Sequence, residues 1–208
     1  MQIPSIRMSG IETVDDRCAM IAEALRLHDP ETIAHGLRVC SVVSSLSRAM
    51  NLDDTTRRIL AKASALHDVG KLAFDTDFIH APWSYTPEER IRMQSHASVG
   101  SQLLDIADPD EFREIALIVF QHHERWDGTG YPRAIRGEGI HRLARLVSIA
   151  DVFDALTSKR AYRQPWPEER IRAHFLENRA RQFEPDLVDL FLESYAECAS
   201  ARESTTGV

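Results

Sequence analysis

Cysteine is scarce in this chain. Cys18, Cys40 and Cys198 are odd in number, widely spaced and without a paired C-x-x-C. That excludes a disulfide framework and a thiolate zinc site, and it points to a reducing compartment. Long apolar runs are missing too: none approaches the roughly 18 residues of a membrane span, so no membrane partner is expected. The start, Met1-Gln2-Ile3-Pro4-Ser5, has no basic stretch followed by an apolar one. No secretory signal is therefore expected, and the setting reads as cytoplasmic. Positive charge is in deficit. A formal net charge of −7 argues against coating of nucleic acid. An acidic protein that handles phosphates needs local cations, either metal ions or a few placed Arg and Lys side chains. Strand signals are almost absent, and there is no internal repeat or low-complexity segment.

What is present suits a soluble helical globule. With 208 residues, 43% hydrophobic and 27% charged, the chain is long enough to bury a core as one domain. Apolar positions at helical spacing predict helices over 11–27, 31–50, 55–69, 143–157, 168–181 and 185–199, with shorter ones between. Asp29-Pro30 and Thr86-Pro87-Glu88-Glu89 read as helix starts, with Asp or Thr as cap and Pro at the first turn. The first helix could be a remnant linker, a dimerisation element or simple packing. The segment 143–157 is apolar almost all round and should be central.

The polar exceptions carry the chemistry. Gln121-His122-His123-Glu124 closes a strongly apolar helix, and a Gly/Asp-rich loop through Gly128, Gly130 and Pro132 follows. Imidazole is the commonest metal ligand among side chains. Neighbours on a helix point about 100° apart, so a single ion is awkward for both rings and two adjacent ions suit them better. His67-Asp68 ends another apolar helix, with Gly70 and Lys71 directly behind. Glu31, His35 and Arg38 share one side of a helix, which fits a surface ion-pair stripe as well as a site. His96 gains meaning only beside partners. Asp151 sits within the most apolar helix, where a carboxylate is costly unless paired or metal-bound. Asp154, one turn on, reads as structural, pairing with an Arg or capping. Lys159, Arg160 and Arg163 follow, a basic cluster that is either solvated or placed to hold phosphate.

Glu31, His35, His67, Asp68, His96, His122, His123 and Asp151 form a thiolate-free set of imidazoles and carboxylates. Such a set suits Fe or Mn, with Zn or Ni as alternatives. Eight ligands are too many for one ion and right for two or three.

Taken together, the motifs His35-Gly-Leu-Arg38, His67-Asp68-Val-Gly70-Lys71, His96, His122-His123 through Gly130-Tyr131-Pro132, and Ala150-Asp151-Val-Phe-Asp-Ala-Leu-Thr-Ser158 resemble the HD-GYP domain family of the HD phosphohydrolase superfamily. The resemblance covers roughly 29–195. It implies an all-α fold, a compact helical HD-domain bundle with a metal centre in its core and extra C-terminal helices. It implies a bacterial, metal-dependent phosphodiesterase that hydrolyses cyclic di-GMP to linear pGpG and in some members on to GMP. Residue by residue, His67, Asp68, His96, His122, His123 and Asp151 match the holders of two core metals, with Asp68 between them. Glu31 and His35 match the extra ligands of members with a third. Lys71 matches a lysine that reaches a phosphate or the bridging hydroxide; Asp68 and Lys71 are the catalytic candidates. Lys71, Tyr131, Arg160 and Arg163 match positions that border or contact the substrate.

The organisation expected is an N-terminal helix or linker over 1–28, the catalytic domain over 29–200, and a flexible tail over 201–208. Regulation is expected from a diguanylate cyclase or receiver-domain partner, with a homodimer through the first helix as a further expectation. Alternative readings are an HD-type phosphohydrolase of another cyclic dinucleotide or nucleotide, or a signalling module that docks a cyclase. The chain departs from the family pattern at Leu72-Ala73-Phe74, His80-Ala81-Pro82, Ala134-Ile135 and Ile140-His141, which bears on the loops over 72–82 and 133–141.

Overall fold

A computed structural model describes residues 13–81, 84–108, 110, 112–159 and 164–205. Among these residues the chain is helical, and its only extended pairing is an isolated bridge between Arg179 and Phe183. The all-α expectation holds.

Local sequence explains where the helices begin. Helix α1 (Val14–His28) opens on a capping box made by Thr13 and Asp16. Asp29 caps α2 (Pro30–Ala49) by accepting from the Glu31 amide, and Pro30 occupies the first turn. Asp53 caps α3 (Asp54–Leu66) through the Thr55 and Thr56 amides. A short α4 (Thr76–Ile79) interrupts the long connection after α3. Helix α5 (Pro87–Gln94) carries the expected Thr86/Glu89 capping box, and α6 (His96–Ala107) follows after one residue. The chain then runs through α7 (Arg113–Gln121), α8 (Arg142–Thr157), α9 (Glu168–Glu177), α10 (Pro185–Glu193) and α11 (Tyr195–Thr205).

The core lies between α2, α3, α7 and α8. Val39, Val42, Val43 and Leu46 face Leu60, Ala63 and Leu66 on one side and Leu146, Val147, Ile149 and Phe153 on another. Each fully buried Leu, Ile or Phe contributes about 1.5–3 kcal/mol. As the all-round apolar pattern implies, α8 is central. Phe153, Phe175, Phe183, Phe191 and Tyr195 form an aromatic layer that fastens the C-terminal helices to it. Helix α1 packs on α2 and α3 and buries Leu25 completely.

Four boundaries differ from the sequence pattern. The helix expected over 55–69 ends at Leu66, which leaves His67 and Asp68 in a turn before a 3-10 segment at Val69–Ala73. The helix expected to 181 stops at Glu177. Ala180 takes a left-handed backbone (φ 63°), and the carbonyls of Arg181 and Gln182 accept from the amides of Asp127 and Trp126. The helix expected over 185–199 divides at Ser194, so that α11 can lie along α2. Where a tail is expected from 201, α11 continues to Thr205, with Arg202 buried against Asp154. Among the described residues no helix is long and apolar enough to cross a membrane.

Candidate metal centre

The candidate residues come from five places in the chain. His35 projects from α2, His67 and Asp68 from the turn after α3, and His96 from the first position of α6. His122 and His123 stand where α7 ends, and Asp151 is on α8. Gly70 makes the first convergence possible. A Cβ at this position would sit 1.9 Å from the His96 carbonyl oxygen, so only glycine lets the 3-10 segment press against the start of α6.

Three overlapping groups result: His96 with His122 and His123; His35 with His67 and Asp151; and His67 with Asp68 and His122. Within each group the ligand atoms lie within 4.8 Å of one another. Asp68 stands in the middle. Its Oδ1 is 3.3 Å from His96 Nε2, while Oδ2 is 3.4 Å from His67 Nε2, 4.0 Å from His35 Nε2 and 2.6 Å from Lys71 Nζ. Burial opposes the Asp68 charge, but Lys71, His67, His96 and His35 outweigh it and hold the carboxyl well below its usual range. Asp151 accepts from His35 Nε2 at 3.1 Å. There too burial is overcome, by His35, and the carboxyl is held down.

The histidine tautomers follow from their outer bonds. Nδ1 of His67, His96 and His122 lies 2.6–2.7 Å from the carbonyls of Ser64, Met93 and Val119. A carbonyl only accepts, so each Nδ1 carries the proton and each Nε2 presents a lone pair. His96 Nε2 and His122 Nε2 then face each other at 3.3 Å with a lone pair on both. His67 Nε2 is buried without a hydrogen-bond partner. Burial, with help from the neighbouring imidazoles, holds His122 well below the histidine range and pushes His123 down to about 3. His96 is lowered by burial as well. Neutral imidazoles that aim lone pairs at one another and at carboxylates are the donor set of a divalent cation. The fit is good on these grounds.

The adjacent pair behaves differently from the helical expectation. His122 and His123 lie in the turn that closes α7, their ring centroids are 4.0 Å apart, and both join His96 in one group. One ion can therefore take both rings.

The other sequence candidates fall out unevenly. Lys71 and Tyr131 line a cavity of about 780 Å³ that opens on His35, Asp68, His96, His123 and Asp151. The Tyr131 ring lies 4.7 Å from that of His123, and burial beside Asp151 and Asp68 raises its phenol, which stays protonated. Glu31 also lines the cavity, yet its carboxylate is bonded to Arg38 at 2.9 Å and joins none of the three groups. Arg160 and Arg163 lie outside the described residues. Lys159 borders the cavity.

Some site residues were not singled out by spacing. Glu124 is buried, and its carboxylate accepts from the Arg133 and Ile135 amides at 2.7 and 2.9 Å, which shapes the Gly-Tyr-Pro loop. Its only signal is its place directly after the His pair. Asp154 does pair with Arg, as read from sequence, but with two of them, and it also accepts from His35 Nδ1 at 2.7 Å. Against burial, the bonds to Asp151 and Asp154 hold His35 at about 9, and the bonds from His35 and Arg38, with the Arg202 charge, hold Asp154 below the usual carboxylate range.

A family model described as HD domain matches residues 19–187, most of the chain. The chain belongs to the HD domain family. Its relatives and motifs place it in the HD-GYP branch of that family. A Vibrio cholerae protein named 3'3'-cGAMP-specific phosphodiesterase 2 is 36% identical over 193 residues, 93% of this chain and 37% of that protein. The cyclic di-GMP phosphodiesterase response regulator RpfG of Xanthomonas campestris is 36% identical over 194 residues, 91% of this chain and 51% of that protein. This HD-domain chain thus spans about half the length, or less, of the curated relatives it matches. Among solved structures, the HDG"Y"P protein Bd1817 of Bdellovibrio bacteriovorus has the same fold, with a TM-score of 0.63 and 20% identity over 88% of this chain and 59% of that one. The HD domain of L. monocytogenes PgpH, in complex with cyclic-di-AMP, matches with a TM-score of 0.58 and 15% identity, over 89% and 94% of the two chains.

Proposed function

We propose that the chain is a metal-dependent phosphodiesterase that hydrolyses cyclic di-GMP to linear pGpG. One observation carries the reading: three ligand groups, linked to one another through His67 and His122, gather around Asp68 beside a cavity whose wall includes Asp68 and Lys71. Divalent ions held there, Fe or Mn by the donor chemistry, supply a polarised water and neutralise charge at phosphorus. The chain's own residues do the rest. His96, His122 and His123 would hold one ion, His35, His67 and Asp151 a second, and Asp68 would contribute its carboxylate beside them. A third ion at Glu31, and with it cleavage on to GMP, requires that carboxylate to leave Arg38. Lys71 faces the non-bridging phosphate oxygens, where its charge offsets the one that builds during in-line attack. The protonated Tyr131 phenol borders the substrate, and Arg160 and Arg163 complete the phosphate contacts. The cavity is of the size range of small-ligand sites. Three free cysteines fit a cytoplasmic setting. A cyclase or receiver partner and a homodimer belong to the same reading.

A second cyclic dinucleotide is the specific rival, because relatives are named both for cyclic di-GMP and for 3'3'-cGAMP. The test is anaerobic loading with Fe(II) or Mn(II), metal analysis, and chromatography of cyclic di-GMP, cyclic GMP-AMP and simple nucleotides. Bound metal with pGpG or GMP formed from cyclic di-GMP is the expected result. Faster turnover of cyclic GMP-AMP moves the substrate to the rival, and absence of metal refutes the mechanism.

A further inference from the structure

Arg202 stands on α11, remote in sequence from every motif, yet it is only 9% exposed. Its Nε donates to Asp154 Oδ1 at 2.5 Å, and its Nη2 donates to Ser158 Oγ at 2.7 Å. Ser158 Oγ in turn donates to Asp154 Oδ2 at 3.2 Å. Arg202 thus grips both oxygens of one carboxylate, the first directly and the second through Ser158. Arg38 approaches the same carboxylate with Nε, 2.9 and 3.1 Å from the two oxygens, while its Nη2 is engaged by Glu31. Asp154 is fully buried, and a buried carboxylate keeps its charge and orientation only through such donors.

The consequence reaches the metal centre through one bond. Asp154 Oδ2 accepts from His35 Nδ1 at 2.7 Å. That bond sets the plane of the ring and aims its other nitrogen at Asp151, 3.1 Å away, and Asp68, 4.0 Å away. A carboxylate behind a histidine is a recurrent way to orient a metal ligand. Here the carboxylate is itself held by a residue of the last helix.

We propose that Arg202 is a positioning residue for the metal centre: through Asp154 it orients His35, so that docking of α11 sets the affinity of the His35–His67–Asp151 group for a divalent cation. The inference rests on the metal-binding reading of that group given under Proposed function. Without Arg202, Asp154 Oδ1 keeps one donor among the described residues, Arg38, and Ser158 loses its bond to Arg202, so the carboxylate can turn and His35 with it.

The experiment is Mn(II) binding to the full chain by equilibrium dialysis with metal analysis. Wild type is compared with Arg202→Met, Arg202→Lys, His35→Ala and the Arg202→Met/His35→Ala pair. Arg202→Met is expected to weaken one class of Mn(II) site by roughly 10–100-fold and leave the other as in wild type. Arg202→Lys restores part of the loss. In the His35→Ala background Arg202→Met changes Mn(II) affinity no further, since both act through one ring. Wild-type affinity in Arg202→Met overturns the proposal. So does an equal loss of affinity in the His35→Ala background, which would assign Arg202 to the fold alone. If Arg202→Met does not fold, Ser158→Ala cuts only the link to Oδ2; a smaller loss at the same site is expected, and unchanged affinity overturns the proposal. Hydrolysis is followed separately. A wild-type chain that binds Mn(II) but cleaves no cyclic dinucleotide refutes the proposed activity and leaves this inference standing, whereas one that binds no Mn(II) refutes both.

Discussion

Asp68 meets three imidazoles and one ammonium at once, and its two oxygens point to different histidines. Those contacts reach both halves of the centre. Asp68→Ala is expected to remove most bound Mn(II) and to bring turnover of cyclic di-GMP to background, while the helical content by circular dichroism stays near wild type. Retention of both metal and turnover would refute the assignment. The His67-Asp68 pair was legible because two polar residues close an apolar helix and a Gly and a Lys follow. Glu31 entered as a ligand through the family resemblance, while its spacing fitted an ion-pair stripe as well. Arg38, two turns along the same helix, takes the Glu31 carboxylate.

At the scale of elements, two backbone positions decide how the site-bearing segments meet. Gly70 has no room for a side chain, so Gly70→Ala should force the 3-10 segment off the start of α6. A loss of about 3 kcal/mol or more is expected, read by urea unfolding. Because His96 opens α6, Mn(II) affinity should fall with it. Ala134 is the opposite case: it holds a left-handed backbone (φ 54°) without being glycine. The left-handed region costs a non-glycine residue roughly 1–2 kcal/mol, part of which glycine returns as unfolded-chain entropy, so Ala134→Gly should stabilise by about 1 kcal/mol or less. An unchanged or lower unfolding midpoint would contradict that. The breaks at Glu177 and Ser194 belong to this scale as well. Periodicity continues across both, and what stops the helices is a loop that uses the Arg181 and Gln182 carbonyls and a helix that must turn to lie on α2.

For the whole molecule, the candidate metal centre joins α2, the turns that close α3 and α7, α6 and α8, so ligation ties together elements that are far apart in sequence. Removing the metal with a chelator should therefore lower the melting temperature of the entire domain rather than loosen one loop. Ligand at about a hundred times its dissociation constant contributes roughly 2.7 kcal/mol. For a chain of this size that corresponds to a drop of roughly 5–10 °C, measured by calorimetry with and without chelator. A melting temperature indifferent to chelation would remove the centre from the stability of the fold.

The chain by itself determined the helical class, the central place of α8, the capped starts of α2 and α5, and the identity of the imidazole and carboxylate set. These follow from local physics: apolar period, cap chemistry, and the cost of a polar residue in an apolar helix. Tertiary structure alone decided the rest. It brought His35 and Asp151 together across 116 positions of sequence, let His122 and His123 share one group, and buried Arg202 of the supposed tail against Asp154. Each of those outcomes depends on which of several competing partners lies nearest once the helices have packed, and no local pattern records that distance.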